Sequence, residues 1–209
     1  MEVNVSCARQ IILKYGMQEF TLENLSILSE QSKSELFSQL SGNIDNLAAK
    51  CYSLSMNSLF AIYQKHLHRI TSSEGLIENW FSIYPDRLAE VINFGLDDLV
   101  VASKIWERYE GDLHGPVFHA LDSSKKVAQL KAINKITALG IHEKKLQKNL
   151  AFELNTEMEL PSYLFSGLTR SSNIKHIFND YHDWITANLS GINLDKYFMG
   201  LESNSKKSN

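Results

Sequence analysis

Apolar residues return every three to four positions through most of this chain, and polar residues fill the gaps. That is the period of a helix with one buried face. Val5, Ala8, Ile11, Ile12 and Tyr15 form the first such stripe, and Gly16 follows as a stop. Thr21 precedes "LENLSILS", where its hydroxyl can cap the free N–H groups of a second helix with Leu22, Leu25 and Leu28 on its buried side. A break falls over Ser29 to Gln31. Ser32 and Glu35 then have the spacing of a capping box, and Leu36, Phe37 and Leu40 make the apolar face of a third helix. "SGN", from Ser41 to Asn43, ends it.

A long helix follows, with Leu47, Ala48, Cys51, Leu54, Ser55, Ser58, Leu59, Ile62, Tyr63, His66 and Ile70 in register. "TSSEG" interrupts it. "LIENWFSIY" reads as a short aromatic helix ended by Pro85, and Gly95 as a break or kink between "DRLAEVINF" and "LDDLVVASKIWERY". After the loop "EGDLHGP", helices are expected from about 117 to 139, ended by Gly140, and over "HEKKLQKNLAFELNTEM". A last group carries Ile174, Ile177, Phe178, Tyr181, Trp184, Ile185 and Leu189 on one side. No segment alternates like a strand. The pattern predicts an all-α chain. A small three-helix domain occupies residues 1–46, a larger helical bundle residues 47–202, and a disordered polar tail residues 203–209.

Composition changes this picture little. The chain has 209 residues, 44% hydrophobic and 22% charged, with three prolines and ten glycines. Few interrupters suit long helices. Cys7 and Cys51 lack the spacing of a metal or redox motif, so a cytoplasmic protein with reduced thiols is expected. No run approaches the roughly 20 apolar residues of a membrane span, and "MEVNVSCARQ" does not resemble a signal peptide.

The first ~47 residues resemble the DNA-binding domain of TetR-family transcriptional regulators. In that family a helix bearing alanine ends at glycine. A threonine, an Ile-Ala pair, a Gly-Val turn, a serine and a tyrosine follow at set intervals. Here those positions are Ala8, Gly16, Thr21, Leu25 with Ser26, Glu30 with Gln31, Ser32 and Phe37, without a gap from Val5 to Leu40. The resemblance implies a TetR-like fold: a helix-turn-helix domain that binds operator DNA, followed by a helical domain for ligand binding and dimerisation. It implies a homodimer through the C-terminal helices, including Ile174, Phe178, Tyr181 and Ile185, with two reading helices one DNA turn apart.

Several residues depart from the family pattern. Glu30 stands in place of the turn glycine, where a left-handed backbone costs about 1 kcal/mol. Phe37 replaces a tyrosine that reaches phosphate, and Asn43 lies where a lysine is common. Residues 1–50 hold four cations and six carboxylates, against a net charge of -3 for the chain. Phosphate neutralisation carries most non-specific DNA affinity, so the expected binding is weak and salt-dependent.

Candidate contacts on double-stranded DNA are Lys33, Ser34, Ser38 and Gln39 on the exposed side of the third helix, and Phe37. Thr21 and Ser32 act as positioning caps. The plain alternative is a solvated helix face. For a small apolar ligand, the candidates are Trp80, Phe81, Tyr84, Phe94, Trp106, Tyr109 and Phe118, whose plain alternative is ordinary core. His66 and His68 diverge on a helix and make poor co-ligands, His114 and His119 are no better spaced, and His176 with Asp180 suits an ion pair as well as a metal. No cofactor is implied. No nucleophile–base motif or phosphate loop appears, so no enzyme activity is expected. Two functions stand: a ligand-released TetR-like repressor, or a TetR-fold accessory protein that binds a lipid or small molecule without binding DNA.

Overall fold

The computed structural model describes residues 3–109 and 111–159; for residues 3, 77, 78, 81, 84, 85, 88, 92, 153 and 155–159 it describes the backbone alone. The expected C-terminal helix with Ile174, Phe178, Tyr181 and Ile185, the pair His176 and Asp180, and the tail lie outside the described residues. Among the described residues every regular element is helical and none is a strand.

Helix α1, Val3–Tyr15, buries Val5, Ala8, Ile11 and Ile12. Gly16 stops it with a positive φ of 85° that a side chain would resist. A short 3-10 turn leads into α2, Leu22–Ser29, and then α3, Lys33–Gln39. Helix α4, Asp45–Arg69, is 25 residues long, which at 1.5 Å per residue spans about 37 Å. It packs against α1 near its start. The close approach is possible because Ala48, Cys51 and Ser55 are small and fully buried there. Leu54, expected in the buried stripe, is exposed, and Tyr52, Met56 and Phe60 are buried in its stead. Contact with partners on more than one side widens the buried face and turns it away from Leu54.

The aromatic segment forms α5, Leu76–Ser82, which ends before Pro85; that proline lies in the first turn of α6, Tyr84–Glu90. Proline is tolerated there because the first N–H groups of a helix have no internal partner. Gly95 neither breaks nor sharply ends the helix. It closes a π-helical turn, Val91–Gly95, that runs into α7, Leu96–Tyr109. A Cβ on Gly95 would lie 2.9 Å from Leu59 Cδ2 and 3.1 Å from Ile62 Cδ1. The glycine therefore marks a close approach of this turn to α4. Helix α8, Pro116–Ala138, and α9, Lys144–Glu159, form a hairpin in which α8 packs on α4 and α9 packs on α8 and α5. Gly140 turns the chain between them with φ 88°, and Gln147 donates to Thr137 Oγ1 at 3.0 Å and to the Ile141 carbonyl at 2.7 Å.

The N-terminal helices are tied to the remainder by side chains as well as by chain continuity. Arg9 on α1 donates to Ser55 Oγ on α4 at 2.5 Å and to Asp98 Oδ1 on α7 at 2.6 Å. Lys104 on α7 donates to the carbonyls of Ile12 and Leu13 at 3.0 and 3.1 Å. Those carbonyls belong to the last turn of α1, where a cation is favoured by the helix dipole.

Candidate nucleic-acid interface

The α2–turn–α3 unit is organised by the caps that its residue types specify. Thr21 Oγ1 accepts from the Asn24 N–H at 3.2 Å. The Asn24 side chain donates back to the Glu19 carbonyl at 2.8 Å and to its carboxylate at 2.9 Å. At α3 the capping box is complete. Ser32 Oγ accepts from the Glu35 N–H at 3.2 Å, and Glu35 Oε2 accepts from the Ser32 N–H at 2.9 Å and from its hydroxyl at 2.7 Å. Those bonds, the hydroxyl first, hold the Glu35 carboxyl below the usual carboxylate range. Leu25 and Leu36 are fully buried and fasten the two helices together.

The turn is made as the glycine pattern requires, with a different residue. Glu30 has φ 55° and ψ 28°, in the left-handed region. Ser26 Oγ donates across the turn to the Gln31 carbonyl at 2.6 Å, which helps hold it. Glu30 is exposed, so its strain is confined to the backbone.

Two apolar expectations need correction. Leu28 is exposed, because α2 rests on α1 and α3 through Leu25. Phe37, which its spacing puts on the apolar face of α3, is 52% exposed. Leu36 and Leu40, four residues apart, already fill that face, and Phe37 lies a hundred degrees round from Leu36. One edge of the Phe37 ring rests near Gly42, 3.3 Å from where a Cβ would stand.

The expected DNA-contacting residues therefore divide. Ser34, Phe37 and Ser38 are exposed on one side of α3. Thr21 and Ser32 are exposed caps. Lys33 is exposed and its ammonium lies 3.5 Å from Glu23 Oε2. Gln39 is engaged by the protein itself: its carbonyl oxygen accepts from the Asn4 amide on α1 at 2.6 Å. Around this surface Glu23, Glu30 and Glu35 are all exposed, as is Lys14 on α1.

The residues expected around a ligand do not converge in one place. Trp80 is fully buried, edge-on to Tyr63 of α4 at 4.7 Å between centroids, with the Arg87 guanidinium 3.6 Å over its ring. Trp106 meets Tyr52, also on α4, at 6.5 Å. Residues 52 and 63 are about 16 Å apart along the helix axis, so the two tryptophans mark different levels of the bundle. Tyr109 donates to Asp45 Oδ1 at 2.6 Å, and burial raises its phenol. Phe118 is half-buried beside His119. Phe94 is 78% exposed and lines no interior, because the π turn rotates it away from α4 as Gly95 moves in. The side chains of Phe81 and Tyr84 lie outside the described residues.

One polar pairing inside the bundle is set by the tertiary structure alone. His66 is only 1% exposed, with Nε2 2.9 Å from Glu90 Oε2 and Nδ1 3.3 Å from Arg69 Nη1. A carboxylate only accepts and a guanidinium only donates, so the imidazole is the Nε2–H tautomer. Burial first, then the nearby Arg69 and Arg87, lower its pKa, against the pull of Glu90. Lys65 donates to the other Glu90 oxygen at 2.7 Å. The only sequence signal was the position of His66 on the buried stripe of α4. Among the described residues no group of three histidine, cysteine or acidic side chains could hold a metal, and no helix is long and apolar enough to cross a membrane. Comparison of the chain with protein-family models, with curated proteins and with solved structures finds no match.

Proposed function

We propose that this protein is a TetR-like transcriptional regulator: a homodimer that holds operator DNA through α3 and releases it when a small apolar ligand enters the helical body. The observation that carries the reading is the capped α2–turn–α3 unit. Its second helix exposes Ser34, Phe37 and Ser38, while both helix starts are set by Thr21 and Ser32. Small hydroxyls suit base edges or phosphate oxygens, and an exposed aromatic edge suits a thymine methyl. Lys33 would exchange Glu23 for a phosphate, so affinity should depend steeply on salt. Ligand binding would act by shifting the population toward a dimer whose reading helices no longer match the groove.

A second reading has its own support. Glu35 lies over the first turn of α3, and Lys33 faces Glu23, so this surface offers little attraction to phosphate. On that reading the fold has lost DNA binding and serves as an accessory protein for a lipid or small molecule.

Binding of the purified protein to a pool of fluorescent genomic fragments, across a range of salt, separates the two. Selective retention of particular fragments, lost in Lys33→Glu, supports the regulator. Absence of retention even at low salt overturns it and leaves the accessory reading.

A further inference from the structure

His66 and Arg69 are three residues apart on α4, a spacing at which helical side chains meet. His66 Nδ1 accepts from Arg69 Nη1 at 3.3 Å, and Nε2 donates to Glu90 Oε2 on α6 at 2.9 Å. Both ring nitrogens of a buried imidazole are thus committed, and only the neutral Nε2–H form satisfies both partners. The same Arg69 nitrogen lies 3.7 Å from Asp86 Oδ2, in the first turn of α6. Arg69 therefore stands between two acceptors, one inside the bundle and one at its surface. Its side chain is 50% exposed and that of Asp86 68% exposed, so a pivot from one to the other disturbs no core packing.

The other charges near the ring have their own partners. On α4, Lys65 donates to the second Glu90 oxygen at 2.7 Å. On α6, the Arg87 guanidinium lies over the Trp80 ring and donates to the Trp80 carbonyl at 2.6 Å. On α8, Lys135 donates to the His68 carbonyl at 3.4 Å. The π turn, "VINFG", carries no charge. Among the described residues, only Arg69 and Glu90 bond the imidazole.

We propose that His66 and Arg69 form a pH-operated switch, in which a proton on His66 Nδ1 turns Arg69 away from the imidazole and onto Asp86. The proton comes from solvent and takes the lone pair that Arg69 had used. Nδ1 then becomes a donor, so that donor faces donor and two positive charges meet. Asp86 is the acceptor already within reach of the departing guanidinium, and its departure lets water reach Nδ1. On the other side of the ring Nε2–H keeps Glu90, in a bond now assisted by charge on both partners. Lower pH thus exchanges a contact within α4 for a second ion pair between α4 and α6. Burial first, with Arg69 and Arg87 beside it, holds the folded pKa below the ordinary imidazole value against the pull of Glu90, so the switch works on the acid side of that value. Helix α6 continues through the π turn into α7, whose Asp98 holds Arg9 of α1. The change therefore falls at one end of a helical run whose other end is tied to the N-terminal helices.

The test is nuclear magnetic resonance of the full chain labelled with nitrogen-15, following the His66 ring nitrogens and the Arg69 Nε–Hε pair from neutral to acidic pH. Both signals are expected to shift with one midpoint, below the ordinary imidazole value. Arg69→Met should raise the His66 midpoint, because the opposing charge is gone. Asp86→Asn should lower it, because the guanidinium loses its destination. In His66→Gln the Arg69 signal should no longer respond over this range. Arg69 and Asp86 are at the surface, and far-ultraviolet circular dichroism establishes that each variant is folded. An Arg69 signal that stays fixed while His66 titrates overturns the proposal. So does a His66 midpoint unchanged in Arg69→Met, or unfolding of the parent before His66 takes up its proton.

Discussion

Glu30 and His66 show what single residues settle here. Glu30 sits at φ 55° where the turn asks for glycine. Glu30→Gly should raise the unfolding free energy by roughly 0.5–1 kcal/mol, since relief of the left-handed strain exceeds the extra entropy of glycine. Urea denaturation measures it, and an unchanged or lower stability would show that Glu30 is held by more than its backbone. His66 makes a pH prediction. Its folded pKa lies below the ordinary imidazole value of about 6.5, chiefly because it is buried. The unfolded chain therefore binds a proton that the folded chain refuses, and stability falls as pH drops below that ordinary value. The depressed Glu90 carboxyl acts in the same direction at lower pH. His66→Gln should flatten the slope just below neutrality; an identical slope in the variant would remove His66 from the account. The caps at Thr21 and Ser32 were legible from residue type and spacing alone. The burial of His66 follows from its place on the apolar stripe, but its pairing with Glu90 does not, because a histidine there reads the same whether its partner is Glu90 or water.

At the scale of elements, helix periodicity located α1 to α4, α8 and α9 well, and was weakest where helices meet. Gly95 illustrates the reason. Its consequence, a π turn against Leu59 and Ile62, depends on how near α4 lies and not on its own neighbours in sequence. The link from α1 to α7 is of the same kind: Arg9 and Asp98 are 89 positions apart. Their side chains are 18% and 14% exposed, so partial screening limits the pair. A double-mutant cycle of Arg9→Ala and Asp98→Ala should give a coupling of about 1–2 kcal/mol, the Arg9 bond to Ser55 being common to both arms. Additive effects would mean that the two side chains contribute independently. The aromatic residues expected around one ligand instead separate along α4, Trp106 near Tyr52 and Trp80 near Tyr63. Periodicity places a side chain on a face; it does not say at which level of a neighbouring helix it lands.

For the molecule as a whole, the ties from Arg9 and Lys104 predict that α1 does not open independently of α4 and α7. Native-state hydrogen exchange should find the amides of Ile11 and Ile12 opening with the same free energy as those of Leu59 and Tyr63. A markedly lower value for α1 would show that the N-terminal helices behave as a separate unit. The sequence by itself determined the all-helical class, the positions of most helices, their caps and the turn between α2 and α3. Those are local matters, decided by hydrogen bonds and apolar period within a few residues. Only the tertiary structure decided that Phe37 and Phe94 are exposed, that Gln39 is engaged by Asn4, and that His66 is paired in the interior. Each depends on a competition for space among residues far apart in the chain, and no local pattern records who wins it.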